Sequence, residues 1–145
     1  MWSAASVLVC ALSVLGRAER TMPPIELIDF IPPEVSAGAE GFVRRDTGTI
    51  YLITSSPVFR DAADARELCG DSLAIKKLAS VLAHEEWHLR HGADERGAYE
   101  FQLLTLLRLG VMPDNRLYWA VQRSMQHVLA VRRRNHAEIV VASGP

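Results

Sequence analysis

The stretch Ser80–Glu100, SVLAHEEWHLRHGADERGAYE, places three histidines and five acidic residues in 21 positions, and its reading decides the fold. Leu73, Leu78, Val81 and Leu82 lead into it at helical spacing with no proline between them, which predicts a helix from Leu73 to about His91. Gly92 is a natural stop, since glycine takes up the backbone conformations that end helices at no steric cost. A second helix is expected from near Glu95 to Leu109, with Ala98, Leu103, Leu106 and Leu107 on its apolar side. The charges between could simply be a solvated helix face, but their spacing points elsewhere.

His84-Glu85-Glu86-Trp87-His88 has the form H-E-x-x-H inside the predicted helix. Residues four apart on a helix are neighbours on one face, so both imidazoles can point at one metal ion. Neutral imidazole nitrogen suits Zn2+, and two such ligands on a preformed helix lower the ordering cost of the site. Glu85 lies about 100° round the helix from His84, beside such an ion and not on it. A carboxylate there can take a proton from an attacking water. A catalytic zinc site uses three protein ligands and keeps a position open. His91 shares the histidine face, but seven residues of helix set it about 10.5 Å along the axis from His84. It reads better as a polar residue at the helix end, facing the C-terminal dipole. Gly92 lets the chain turn back, so Asp94 or Glu95 can approach the histidines from the next helix.

Working towards the N-terminus, Asp61 to Leu68 is expected to form a short helix, and Gly70-Asp71-Ser72 offers N-cap residues for the helix at Leu73. GFVRRDTGTIYLITSS, from Gly41, reads as a hairpin. Phe42 and Val43 open one strand, Asp46-Thr47-Gly48 supplies the turn, and Thr49 to Thr54 is β-branched and aromatic. Two Pro-Pro pairs frame an extended piece from Ile25 to Phe30. MWSAASVLVCALSVLG has no basic residue before its apolar run and no clear cleavage site after it. It reads as an amphipathic first helix, within residues 1–20 and ending near Gly16, in preference to a secretion signal. Ser3, Ser6, Cys10 and Ser13 then share one face and Ala4, Leu8, Ala11 and Leu15 another. This favours a cytoplasmic over a secreted location.

Towards the C-terminus, Gly110 and Pro113 break the chain, and a last helix is expected from about Asn115 to Arg134. The residues after His136 read as a frayed tail. Arg123, Arg132, Arg133 and Arg134 could touch an acidic partner, although a basic run at a helix end is usually a solvated terminus. No repeat, linker or low-complexity tract divides the 145 residues, which are read as a single domain, 1–145. A formal net charge of −1 gives no reason to expect nucleic acid, and no segment reads as a membrane span. Cys10 and Cys69 form neither a C-x-x-C redox pair nor a thiolate zinc site, and a disulfide between them stays open.

HEEWH followed by Glu95-Arg96-Gly97-Ala98 resembles the gluzincins, zinc-dependent metallopeptidases that pair H-E-x-x-H on one helix with E-x-x-A on the next. The resemblance covers about Thr49 to Leu107 and is to the small, single-domain, zincin-like members. It implies an α+β domain, mainly helical, with a small β-sheet beside the motif helix. It implies Zn2+ held by His84, His88 and Glu95, with Glu85 as general base. It also implies a peptide substrate held along an edge strand, for which Thr49 to Thr54 is the candidate. Two features depart from the family. Only six residues separate His88 from Glu95, a shorter gap than most members show, and Tyr99 stands where many carry an Asp or Asn that buttresses a ligand histidine. The metzincin spacing would put Asp94 third, but its glycine would fall on His91. The order of preference for third ligand is therefore Glu95, Asp94, Glu100.

The expected activity is peptide-bond hydrolysis, with Glu85 passing the proton on to the leaving amine. Tyr99, Tyr118 and His127 are candidate oxyanion donors, though such residues more often pack or lie at the surface. Trp87 and Glu86 are expected to face core and solvent respectively. The alternatives are a non-catalytic zinc-binding interaction or regulatory domain and a metal-free helical domain.

Overall fold

The computed structural model describes residues 1–67, 69 and 72–142, with side chains as far as Arg133. Helix α1 spans Ala4–Leu15, and after a single 3-10 turn the chain enters strands β1 (Ile25–Ile28), β2 (Gly41–Arg44) and β3 (Thr49–Ile53). Helices α2 (Pro57–Ala63), α3 (Leu73–His91), α4 (Glu95–Arg108) and α5 (Arg116–Ala142) follow. The architecture is α+β, mainly helical, with a small sheet packed beside α3, as the sequence predicts.

The sheet order is β1-β3-β2, with β1 parallel to β3 (Ile25 opposite Ile50) and β2 antiparallel to it (Gly41 opposite Leu52). Strand β3 is therefore central, and the expectation that Thr49 to Thr54 forms an edge strand is corrected. Ile50, Leu52 and Ile53 have no exposed surface. A strand buried on both faces reads as a near-continuous apolar run, and its backbone needs partners on both sides. The free edges belong to β1 and β2.

Helix α3 is the spine. Ser72 accepts a hydrogen bond from Ile75 N, and Ile75, Leu78, Ala79 and Leu82 enter a core shared with α1, α2 and the sheet. Burying each such leucine or isoleucine contributes about 1.5–3 kcal/mol. Helix α1 is capped by the Ser3 side chain and closed by Gly16 in the left-handed conformation. Ser13 faces solvent, but Cys10 does not share that polar face. It lies three residues from Val7, both wholly buried, and is disulfide-bonded to Cys69.

Helix α2 is also displaced from expectation, running Pro57–Ala63 and not Asp61 to Leu68. Proline at its first turn costs no hydrogen bond and presets the backbone angle, so the helix starts at Pro57 itself, four residues before the expected start. Leu68, Gly70 and Asp71 lie outside the described residues. Helix α5 runs on to Ala142, past Arg134 and into the segment read as a frayed tail, whose last three residues lie outside the described ones. Val121 ties its first half to Leu103, Leu106 and Val111 in a second apolar cluster. Among the described residues no helix is long and apolar enough to cross a membrane.

Candidate metal centre

The last turns of α3 bury four polar side chains within five positions. His84, Glu85 and His88 are each 7 % exposed and Glu86 is 6 % exposed. Buried polar groups need partners, and those partners define the site. His84 Nδ1 donates to Gln102 Oε1 at 2.9 Å, Gln102 Nε2 donates to Ser80 Oγ at 3.2 Å, and Ser80 Oγ donates to the Lys77 carbonyl at 2.7 Å. His88 Nδ1 donates to the Gly92 carbonyl at 2.8 Å. Both Nδ1 atoms are thus occupied as donors, which leaves each neutral ring with its Nε2 lone pair free.

Both Nε2 atoms turn to Glu95 on α4. Its carboxylate lies 2.7 Å from His88 Nε2 and 3.6 Å from His84 Nε2. His84, His88 and Glu95 offer ligand atoms all within 4.8 Å of one another, a group that can hold a metal ion. Two imidazole nitrogens and one carboxylate suit a borderline divalent cation such as zinc, and three protein ligands leave a position open. Without a cation the same atoms form an acid–base contact. Burial works against charge on both partners, but the hydrogen bonds between them outweigh it, so Glu95 lies below the usual carboxylate range and His88 above the usual imidazole value.

Glu85 is beside this group and outside it. Burial raises its pKa, while His84 and His88 pull it back. Strand β2 passes close by. A Cβ on Gly41 would stand 2.8 Å from the Tyr51 carbonyl oxygen, so glycine lets β2 lie this close to β3, and 3.6 Å from Glu85 Cγ, an ordinary contact distance. Tyr99 sets its ring edge-on to His84, centroids 4.6 Å apart. Burial and the carboxylates of Glu95, Glu40 and Glu85 push its phenol up to about 12, so it stays a donor at neutral pH.

His84, Glu85, His88, Glu95 and Tyr99 line one cleft of about 1050 Å³. Strand β2 with the loop before it forms one wall, and α5 forms the other through Trp119, Arg123, His127 and Arg132.

The remaining candidates lie apart. Asp94 caps α4 by accepting from Arg96 N, Glu100 is exposed, and His91 is exposed with its ring against Trp87. Tyr118 packs in the second apolar cluster, whereas His127 lines the cleft. Glu86 is not solvent-facing as expected. It is buried and ion-paired with Arg17 at 2.8 Å and with Arg90 at 3.1 Å, which ties the end of α1 to α3. Gln102 was not singled out in the sequence. The signal was there, since it lies seven residues, about two turns, beyond Glu95 on the same side of its helix.

Compared with protein families, with curated proteins and with solved structures, the chain matches none.

Proposed function

We propose that this protein is a zinc-dependent metallopeptidase, with His84, His88 and Glu95 as metal ligands and Glu85 as general base. One observation carries the reading: three convergent donors and a separate buried carboxylate, Glu85, share one open cleft. A purely structural zinc site closes with four protein ligands and has no use for a base.

Zinc bound there would polarise a peptide carbonyl and bring water nearer to ionising. The chain's own groups do the rest. Glu85, made more basic by burial, takes a proton from water and returns it to the leaving amine. Gln102 and the Gly92 carbonyl hold the two imidazoles in the tautomer that ligates through Nε2. Tyr99, protonated at neutral pH and lining the cleft, donates to the developing oxyanion. A peptide laid along the cleft pairs with the free edge of β2, in place of β3. The alternative of a non-catalytic zinc-binding domain drew support from a chain too short to build a second cleft wall; α5 is such a wall.

The test is zinc content together with peptide cleavage, with and without chelator. His84→Ala, His88→Ala and Glu95→Gln should lose zinc, whereas Asp94→Asn and Glu100→Gln should not. Glu85→Gln should keep zinc and lose about a hundredfold to ten-thousandfold in cleavage rate. Undiminished cleavage by zinc-loaded Glu85→Gln overturns the mechanism. Stoichiometric zinc with no cleavage of any peptide in a diverse mixture favours the non-catalytic domain.

A further inference from the structure

We propose that the cleft selects peptides that carry acidic residues next to its metal centre, read by Arg45, Arg123 and Arg132. This rests on the cleft being a peptide-binding site. The three arginines all line it. Arg45 follows β2 and packs against Gly92, its Nη2 3.6 Å from where a Cβ on that glycine would stand. Arg132 donates to the Ala93 carbonyl at 3.3 Å. Arg45 and Arg132 therefore both lie at the turn between α3 and α4, which leads into Glu95. Arg123 lies nine residues before Arg132 on α5 and is held over the Trp119 ring, 4.6 Å from its centroid.

Position in the cleft sets these three apart, since exposed arginines outside it, Arg60 and Arg108 among them, also have no ion pair among the described residues. Arg17, Arg44, Lys77 and Arg90 each have a carboxylate within ion-pair distance. Among the described residues Arg45, Arg123 and Arg132 have none. Of the three acidic side chains that line the cleft, Glu40 pairs with Lys77, Glu95 faces the histidines, and Glu85 is buried beside them. A formal net charge of −1 shows that this is a local arrangement and not a generally basic chain.

Uncompensated guanidinium groups in a concave site focus a positive field and raise the local concentration of anionic ligands. The planar fork of each matches a carboxylate in bidentate fashion. Arg132 spends one of its five donors on Ala93, and Arg123 is already positioned by the indole, so little rotamer freedom is lost on binding. A lysine or arginine of a substrate brought to the same wall would meet like charge, so the arrangement rejects as well as attracts.

Fluorescence anisotropy tests this on the full-length, zinc-loaded Glu85→Gln protein, which does not consume its ligand. The probes are fluorescein-labelled ten-residue peptides of Ala, Gly and Ser carrying three Glu, three Gln or three Lys. The Glu peptide should bind about tenfold tighter than the Gln peptide, the combined effect of three partly exposed ion pairs. The Lys peptide should bind weakest, and the Glu preference should shrink as salt is raised. Arg45→Glu, Arg123→Glu and Arg132→Glu together should abolish the preference, whereas Arg108→Glu, on the exposed end of α4, should leave it intact. Should the triple variant not fold, Arg45→Gln and Arg123→Gln singly should each reduce the preference about two- to fivefold. Equal affinity for the three peptides overturns the proposal, as does a preference that survives both single substitutions. Tighter, arginine-dependent binding of a labelled single-stranded RNA also overturns it. A Glu preference without zinc-dependent cleavage by the parent sinks the peptidase reading alone; cleavage indifferent to charge sinks the acidic selectivity alone.

Discussion

Gln102 Oε1 lies 2.9 Å from His84 Nδ1, joining residues eighteen positions apart across the α3–α4 packing. The contact is buried and continues through Ser80 to the Lys77 carbonyl. It fixes which nitrogen of His84 carries hydrogen, so that Nε2 is presented towards Glu95. A partner of this kind, behind a ligand imidazole, typically contributes about tenfold to a hundredfold in metal affinity. Gln102→Leu is expected to weaken zinc binding by that factor while keeping helical content. Gln102→Glu, which still accepts from Nδ1, should bind zinc at least as tightly as the parent. Competition against a chelator of known affinity measures both. Parental affinity in Gln102→Leu would show that the contact orients nothing.

Gly97 and Trp87 form the steric half of the same interface. A Cβ on Gly97 would overlap the far edge of the Trp87 indole. Overpacking of this kind costs about 1–3 kcal/mol, against a gain of up to about 1 kcal/mol from replacing glycine with alanine within a helix. Gly97→Ala should therefore destabilise the protein, by up to roughly 2 kcal/mol. In a Trp87→Leu background, where the indole is gone, the same change should turn stabilising. Urea unfolding of the four proteins reads the change of sign, and an equal effect in both backgrounds would show that the helices do not meet through this pair.

The helical hairpin and the grouping of His84 with His88 were legible because helix periodicity and the four-residue histidine spacing are local signals. The approach of Glu95 to the histidines followed from Gly92 allowing a turn and from Glu95 opening the next helix. What escaped were facts of assembly. β3 reads as a strand in sequence, but whether it is edge or centre depends on β1 returning from more than twenty residues away to pair with it. Glu86 looks like a solvent residue until Arg17, 69 positions earlier, is folded against it. The helix expected from Asp61 starts four residues earlier, at Pro57, because the missing N–H of proline costs nothing in a first turn. Arg123 and Arg132 looked like ordinary charges on a solvated helix. Their interest arises only because α5 forms a cleft wall.

The contact between His88 and Glu95 gives the metal-free protein a pH dependence opposite to that of zinc binding. His88 lies above its ordinary value of 6.5: burial opposes its charge, but the hydrogen bonds to Glu95 and Gly92 win. Its contribution to stability is fully present below about pH 6.5 and is lost as pH rises through the folded-state value. Glu95 lies below its ordinary value of 4.5, its hydrogen bonds from the histidines outweighing burial. Its contribution is present above about pH 4.5 and lost only as pH falls through its low folded-state value. Glu85 is raised, chiefly by burial, so it favours the fold while protonated and ceases to do so as pH rises. His88 and Glu95 place the most stable metal-free state between about pH 4.5 and 6.5, and Glu85, whose contribution is lost as pH rises above about 4.5, adds to the fall in stability towards pH 8. Zinc requires deprotonated imidazoles, so its stabilising effect should grow over the same interval. Thermal melts at pH 5.5 and pH 8, with chelator and with zinc, should show the chelator-treated Tm falling while the gap to the zinc-loaded Tm widens. In His88→Ala both trends should flatten. A chelator-treated Tm that rises from pH 5.5 to pH 8 would mean that the histidine–glutamate contact does not stabilise the folded chain.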